Sequence, residues 1–200
     1  MNSMLYLLVS VIAFAVTAVL GKWMIPFLHK LKFGQTIREV GPSWHKSKQG
    51  TPTMGGLMFI LGIAVAMIVC LPVFYSLGID ETLLLKAKAF AGLGMAVAFG
   101  VIGFMDDYIS ILKKRNLGLT ERQKLVLQFA VAAAYLASVA MAGGGTSTII
   151  PFVGQINLGL FYYPLAAVVI VGIVNAVNFT DGIDGLNTTV SFFAFLSLAL

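Results

Sequence analysis

The chain has little charge, few histidines and almost no cysteine. Of its 200 residues, 8 are Asp or Glu, 13 are Lys or Arg, 2 are His and 1 is Cys. A single cysteine excludes a disulfide or a cysteine-based zinc site within the chain, so Cys70 is interpreted as a packed thiol. By contrast, 59% of the residues are hydrophobic, which exceeds what a water-soluble domain of this size needs. The composition therefore predicts a polytopic membrane protein.

Long apolar runs predict an all-α bundle of membrane-spanning helices. A spanning helix needs about 20 apolar residues. Five complete runs of roughly suitable length occupy residues 4–27, 54–77, 90–105, 125–142 and 162–179. A sixth begins near residue 188 and is incomplete, because residues 185–200 extend only about 24 Å as a helix, against a hydrocarbon core of roughly 30 Å. We therefore expect residues 1–200 to be a single transmembrane domain, the N-terminal portion of a longer protein.

The cations predict the orientation of these runs. Ten of the thirteen lie in segments 28–53 and 106–124, whereas segment 143–161 carries no charge. The positive-inside rule then predicts an external N-terminus and cytoplasmic loops at residues 28–53, 106–124 and 180–187. In the uncharged outer segment, β-branched residues flank Val153-Gly154-Gln155, which predicts a small β-hairpin.

Half of the acidic residues form two tight pairs that end apolar runs. Asp106 and Asp107 follow the third run, and Asp181 and Asp184 follow the fifth. Ionisable groups beside a bilayer are a functional-site hypothesis by default. An acid pair at a helix C-terminus opposes the helix dipole and needs a nearby cation. Two interpretations stay open for the first pair: a salt-bridge network with Lys113, Lys114 and Lys124, or a bound Mg²⁺ shared with substrate phosphates.

In the segment NAVNFTDGIDG, polar residues recur at every third position. Asn175, Asn178 and Asp181 are expected to share one flank of a helix end, and Gly182 and Gly185 release Asp184 from that helix. Structural alternatives remain for two of them. Asp184 is also suited to cap the sixth span, and Asn175 to form an interhelical hydrogen bond.

The first basic loop contains GQTIREVGPSWHKSKQGTPTMGG, which is rich in turn residues. Arg38, His45 and Lys48 are interleaved with the turns, and Thr51 and Thr53 precede the Gly-rich start of the second span. Backbone N–H groups at such a helix start suit a phosphate or a nucleotide. The alternative is a basic loop that only obeys the positive-inside rule.

Three motifs, GPSWHKSKQGTPTMGG, GFMDDY and NAVNFTDGIDGL, resemble in this order the phospho-N-acetylmuramoyl-pentapeptide-transferases of the polyprenyl-phosphate N-acetylhexosamine-1-phosphate transferase superfamily. The acidic motifs are typical of the superfamily, and HKSKQGTPTMGG points to the muramoyl-pentapeptide member. The resemblance implies a Mg²⁺-dependent, homodimeric enzyme of about ten helices in the bacterial cytoplasmic (inner) membrane. It implies transfer of phospho-MurNAc-pentapeptide from UDP-MurNAc-pentapeptide to undecaprenyl phosphate, which releases UMP and forms the first lipid intermediate of peptidoglycan synthesis. No nucleic-acid partner is expected.

The resemblance also implies roles for individual residues. Asp106, Asp107 and Asp181 match catalytic aspartates, and Asp181 with Asn178 matches the metal site. Substrate-side positions are Lys48, Thr53, Asn175, Asn178, Asp184, Lys114 and Lys124. Ser110 stands where the family often has a basic residue. A further catalytic aspartate and a His-rich loop are expected beyond residue 200.

Two rival functions are retained. A sister transferase that uses UDP-GlcNAc shares the acidic motifs but not the HKSKQGTPTMGG loop. A cation or solute transporter would carry its ionisable residues near the bilayer midplane, often in broken helices. Here the acids follow the apolar runs, which favours chemistry at the membrane surface.

Overall fold

The computed structural model describes residues 2–30, 54–76, 83–113, 118–150, 152–182 and 185–199. Within these ranges the chain is almost entirely helical. The helices are α1 (Asn2–Lys30), α2 (Gly56–Ser76), α3 (Leu83–Leu112), α4 (Glu121–Met141), α5 (Tyr162–Thr180) and α6 (Leu186–Ala199). A 3₁₀ turn, Gly159–Phe161, leads into α5. The predicted all-α architecture is confirmed.

Helix α3 is longer than the apolar run that predicted it. It begins seven residues earlier, at Leu83, and continues past the acid pair to Leu112. The expectation that Asp106 and Asp107 end the helix is therefore wrong, since about one and a half further turns follow them. The backbone hydrogen bonds continue regardless of side-chain polarity, and no proline or glycine interrupts residues 104–117.

Helix α4 starts at a capping box. The Thr120 backbone N–H donates to Gln123 Oε1 at 3.1 Å, and the Gln123 N–H donates to Thr120 Oγ1 at 3.3 Å. This reciprocal pair satisfies two N–H groups that a helix start otherwise leaves unbonded. It fixes the start of α4 four residues before the apolar run, so that Lys124 lies in the first turn.

Packing divides the chain into two compact units, Met1–Leu127 and Gln128–Leu200. In the first unit, α1 and α2 approach closely at Gly62, where an added Cβ would collide with Thr17 Oγ1 and lie 3.0 Å from the Ala13 carbonyl oxygen. Such close contact through a small residue is typical of helix pairs in membranes. Cys70 is buried and forms no disulfide, as the sequence predicted.

In the second unit, a β-hairpin precedes α5. Strands β1 (Ser147–Ile150) and β2 (Gly154–Asn157) pair antiparallel, with Ser147 opposite Asn157 and Ile150 opposite Gly154. The predicted hairpin is confirmed, although Gly154 already begins β2 rather than lying in the turn. Gly185 joins α5 to α6 with φ of +79°, a left-handed conformation that favours glycine.

Among the described residues, five helices, α1 to α5, are long and apolar enough to cross a membrane. Many of their large apolar side chains point outward, among them Phe14 at 76% exposure and Phe59 at 60%. Outward apolar side chains suit a lipid environment, where they need not be hidden from water. The structure is that of a polytopic helical membrane protein.

Candidate active site

Asp106 is held by two donors from the chain that follows it. Its Oδ2 lies 3.1 Å from the Lys124 Nζ, and its Oδ1 accepts a hydrogen bond from the Leu119 backbone N–H at 2.8 Å. The side chains of Lys124 and Asp106 are 21% and 26% exposed, so the ion pair is partly shielded from water. The salt-bridge interpretation of the sequence is therefore observed at Asp106, with Lys124 as the partner.

Gly118 allows the approach of this connecting segment. A Cβ added at Gly118 would collide with both the backbone oxygen and the Oδ1 of Asp106. Only a residue without a side chain fits against the acid, and the next residue, Leu119, supplies the N–H. Glycine here permits close contact with the Asp106 backbone and carboxylate together.

Asp107 is half-buried and is bound from the start of α2. The backbone N–H of Met54 forms a hydrogen bond with its carboxylate, and Asp106 and Lys124 lie close enough to interact with it electrostatically. Met54 has a φ of +69°, which is unusual for a residue with a side chain. Met54, two residues before α2, therefore contacts Asp107, which the sequence alone did not predict.

Lys48 and Thr53, the predicted substrate-side residues of the first loop, lie outside the described residues, as do Lys114 and Asp184. Met54 directly follows Thr53 and is the nearest described residue to it along the chain. The proposed roles of these four residues stay predictions.

In the second unit, Asn175 of α5 pairs with Gln128 of α4. The Asn175 Nδ2 donates to Gln128 Oε1 at 2.7 Å and to the Val171 carbonyl oxygen of its own helix at 2.8 Å. In return, Gln128 Nε2 lies 3.5 Å from Asn175 Oδ1. The interhelical hydrogen bond considered for Asn175 is thus present.

Asn178 and Asp181 are exposed at the end of α5. Asp181 is the C-cap residue, and its backbone N–H donates to the Val177 carbonyl oxygen at 3.2 Å. Within the described ranges, its carboxylate has no hydrogen bond or ion pair with another side chain. A carboxylate at a helix C-terminus is opposed by the dipole, so a bound cation would stabilise it.

The side chains of Asp181 and Asn178 fit magnesium only as a cation that is shared with a substrate. No cluster of three or more His, Cys, Asp or Glu side chains occurs in the part of the chain that the structure describes. Magnesium, however, usually takes one or two protein carboxylates and completes its shell with water and substrate phosphates. The exposed Asp181 carboxylate, with the Asn178 amide one turn away, meets that smaller requirement.

Sequence reasoning missed Gln128, Gly118 and Met54. A signal existed for Gln128, which is the single strongly polar residue of the run LVLQFAVAAAY. Gly118 and Met54 act through backbone contacts with residues far away in sequence, so no local pattern marks them.

Comparison with known proteins decides the family. The model of "Glycosyl transferase family 4" matches residues 89–200, which include Asp106, Asp107 and the whole of α5. The chain belongs to glycosyl transferase family 4. Within this family, "Phospho-N-acetylmuramoyl-pentapeptide-transferase signature 1" matches residues 48–60, the stretch that contains Lys48, Thr53 and Met54. The resemblance drawn from the three motifs is confirmed.

The relatives of this chain include proteins that carry the name phospho-N-acetylmuramoyl-pentapeptide-transferase. The protein from Halalkalibacterium halodurans is 43% identical over 97% of this chain and 58% of its own length. That from Clostridium perfringens (strain SM101) is 47% identical over 90% of this chain and 53% of its own. That from Desulfitobacterium hafniense is 43% identical over 95% of this chain and 54% of its own length. The chain therefore spans about half the length of the family members it matches.

Proposed function

We propose that the full protein transfers phospho-MurNAc-pentapeptide from UDP-MurNAc-pentapeptide to undecaprenyl phosphate, yielding UMP and the first lipid intermediate of peptidoglycan synthesis. One observation carries this proposal. Met54 lies inside the segment that matches the muramoyl-pentapeptide-transferase signature, and its backbone N–H bonds the Asp107 carboxylate. A residue of the signature segment thus contacts one member of the acid pair.

The two members of the acid pair have different surroundings, which supports different roles. Both oxygens of Asp106 already accept hydrogen bonds, from Leu119 and Lys124. Asp106 therefore serves to order the segment 118–124 and to hold Lys124 beside the pair. Asp107 is the carboxylate that we assign to the lipid phosphate, as a base or an orienting group.

Two chemical routes fit this assignment. In the direct route, an oxygen of undecaprenyl phosphate attacks the β-phosphorus of UDP-MurNAc-pentapeptide, and the bond to the bridging oxygen breaks to release UMP. In the two-step route, an aspartate carboxylate attacks the β-phosphorus and displaces UMP. An oxygen of the lipid phosphate then attacks the phosphorus of the aspartyl phospho-MurNAc-pentapeptide and displaces the aspartate. Exchange of labelled UMP into UDP-MurNAc-pentapeptide without any lipid acceptor would exclude the direct route.

Both substrates are polyanions, so carboxylates alone would repel them. We assign Mg²⁺ to Asp181 with Asn178, whose exposure at the end of α5 leaves room for substrate oxygens. A cation bound there would neutralise charge on the pyrophosphate and on the leaving UMP. Lys48, Thr53, Asp184 and Lys114 remain assigned to the substrate side, together with Lys124.

The expected location follows from the substrates. One is soluble and the other is anchored in lipid, so the reaction belongs at a membrane surface. We assign the protein to the bacterial inner membrane as a homodimer, with its N-terminus outside and both acid pairs on the cytoplasmic face, since ten of the thirteen cations lie in the loops assigned to that face.

The test is UMP release by the full-length protein in detergent with undecaprenyl phosphate and Mg²⁺. UDP-MurNAc-pentapeptide and UDP-GlcNAc are compared, each with and without EDTA. The proposal predicts EDTA-sensitive release with the muramoyl substrate only. Release with UDP-GlcNAc alone would assign the protein to a sister transferase. Absence of release with both, together with cation flux in liposomes, would favour the transporter.

A further inference from the structure

Gln128 is the one polar residue in the described ranges whose side chain is fully buried, at 2% exposure. It lies in α4 among Ala132, Leu136 and other apolar residues of a membrane-length helix. A buried amide in such a place is costly unless all its hydrogen-bonding groups are satisfied. The residue therefore needs a partner, and the partner is Asn175.

The hydrogen bonds of Asn175 use both N–H donors of its amide. Its two N–H donors are taken by Gln128 Oε1 at 2.7 Å and by the Val171 carbonyl oxygen at 2.8 Å. Its Oδ1 faces the Gln128 amide nitrogen at 3.5 Å. An amide has only two N–H donors, so Asn175 has none left for a substrate.

Apart from the buried Val171, α5 offers little in the described part of the chain that could fix its rotation. Val168, Ile173 and Val177 are exposed, and apolar side chains in lipid pack almost equally well at several rotations. A single buried polar pair can select one rotation, as polar residues select register in coiled coils. Asn178 lies about one turn after Asn175, and Asp181 lies nearly two turns after it. The rotation of α5 that the Asn175 pair selects therefore sets the direction of the Asn178 and Asp181 side chains.

We propose that Gln128 is a positioning residue for the transferase site. It binds Asn175 and thereby fixes the rotation of α5, which orients Asn178 and Asp181 at the helix end. Asn175 then acts through this pair rather than as a substrate ligand. The proposal rests on the proposed function, because its consequence is measured in turnover of the UDP-sugar.

The experiment uses the full-length enzyme with Gln128→Met, Asn175→Leu, the double variant, and the exchanged pair Gln128→Asn/Asn175→Gln. Steady-state kinetics, UMP affinity by calorimetry and Tm are measured for each. Gln128→Met is expected to lower kcat/KM about tenfold or more, the usual range for groups that orient a ligand-binding residue. Because both changes remove one interaction, the double variant should lose no more than either single variant. The exchanged pair conserves the summed side-chain length and should recover part of the activity.

Leu136→Ala is the matched control. Leu136 is buried in the same helix, two turns beyond Gln128, and its truncation should lower Tm while kcat/KM stays within about twofold. If Gln128→Met behaves like this control, or if Asn175→Leu loses far more activity than Gln128→Met, the positioning role is overturned while the proposed function stands. A wild-type enzyme that turns over no UDP-sugar would instead overturn the proposed function, and this proposal with it.

Discussion

Replacement of Lys124 by methionine tests whether the ion pair with Asp106 stabilises the protein. Methionine keeps most of the length of the side chain and removes the Nζ that lies 3.1 Å from Asp106 Oδ2. The Leu119 N–H remains on the other carboxylate oxygen. Without Lys124, two adjacent carboxylates lose the one cation that acts on both of them within the described part of the chain.

The expected magnitude follows from the exposure of the pair. Exposed ion pairs contribute about 0–1 kcal/mol, and hydrogen bonds to charged groups about 1.5–3 kcal/mol. With side chains 21% and 26% exposed, the pair lies between these cases, and we expect Lys124→Met to cost about 1–2 kcal/mol. That corresponds to a decrease in Tm of about 2–6 °C.

The assay is thermal unfolding of the full-length protein in detergent, for Lys124→Met, Asp106→Asn and the double variant. Asp106→Asn should matter much less when Lys124 is already absent. Lys113→Met is the control, because Lys113 carries the same charge just after α3 but makes no ion pair within the described residues. Equal Tm values for Lys124→Met and Lys113→Met would show that the Asp106–Lys124 contact contributes no stability.

Three further predictions concern single positions. Gly118→Ala forces a Cβ against Asp106 and should cost about 1.5–3 kcal/mol by displacing a hydrogen bond to a charged group, measured as a lower Tm with lower UMP release. Gly62→Ala should cost about 1–3 kcal/mol by overpacking α1 against α2. Gly94→Ala is the control for both, since a Cβ there meets no atom within 4 Å, and an equal loss of Tm in it would contradict both predictions. Asp181→Asn should change the free energy of unfolding by no more than about 0.5 kcal/mol, because the side chain is exposed, yet raise the Mg²⁺ concentration needed for half-maximal activity at least about tenfold. An unchanged Mg²⁺ dependence would remove Asp181 from the metal site.

The sequence predicted which segments are helical better than it predicted where they end. Apolar runs identify the stretches that prefer lipid, and all five complete runs lie largely within helices. The third run stops at the first charged residue, whereas the helix continues past it. This explains why Asp106 and Asp107 were expected at the end of α3, which in fact ends at Leu112. The Thr120–Gln123 capping box was readable from sequence and would have located the start of α4.

The sequence identified the site residues that belong to motifs with ionisable or amide side chains, but not the contacts between them. Asp106 and Lys124 were singled out separately, and their direct contact needed the structure, because 18 residues separate them. The same holds for Gln128 and Asn175, which are 47 residues apart on different helices. Such contacts depend on how helices pack, and lipid-facing helices give few sequence signals about that packing. Gly118 is the clearest example of a contact that the sequence does not predict. Its role is recognised only when the positions of the Asp106 backbone and carboxylate oxygens are known.

The most direct test of the account is mass-spectrometric detection of the lipid product. The full-length protein is incubated with undecaprenyl phosphate, UDP-MurNAc-pentapeptide and Mg²⁺, alongside Asp107→Asn and an EDTA-treated sample. The proposed function predicts undecaprenyl-pyrophosphoryl-MurNAc-pentapeptide from the wild-type protein and its loss in the other two samples. Product from Asp107→Asn at the wild-type rate, or no muramoyl lipid from the wild type while UDP-GlcNAc yields one, would contradict the account.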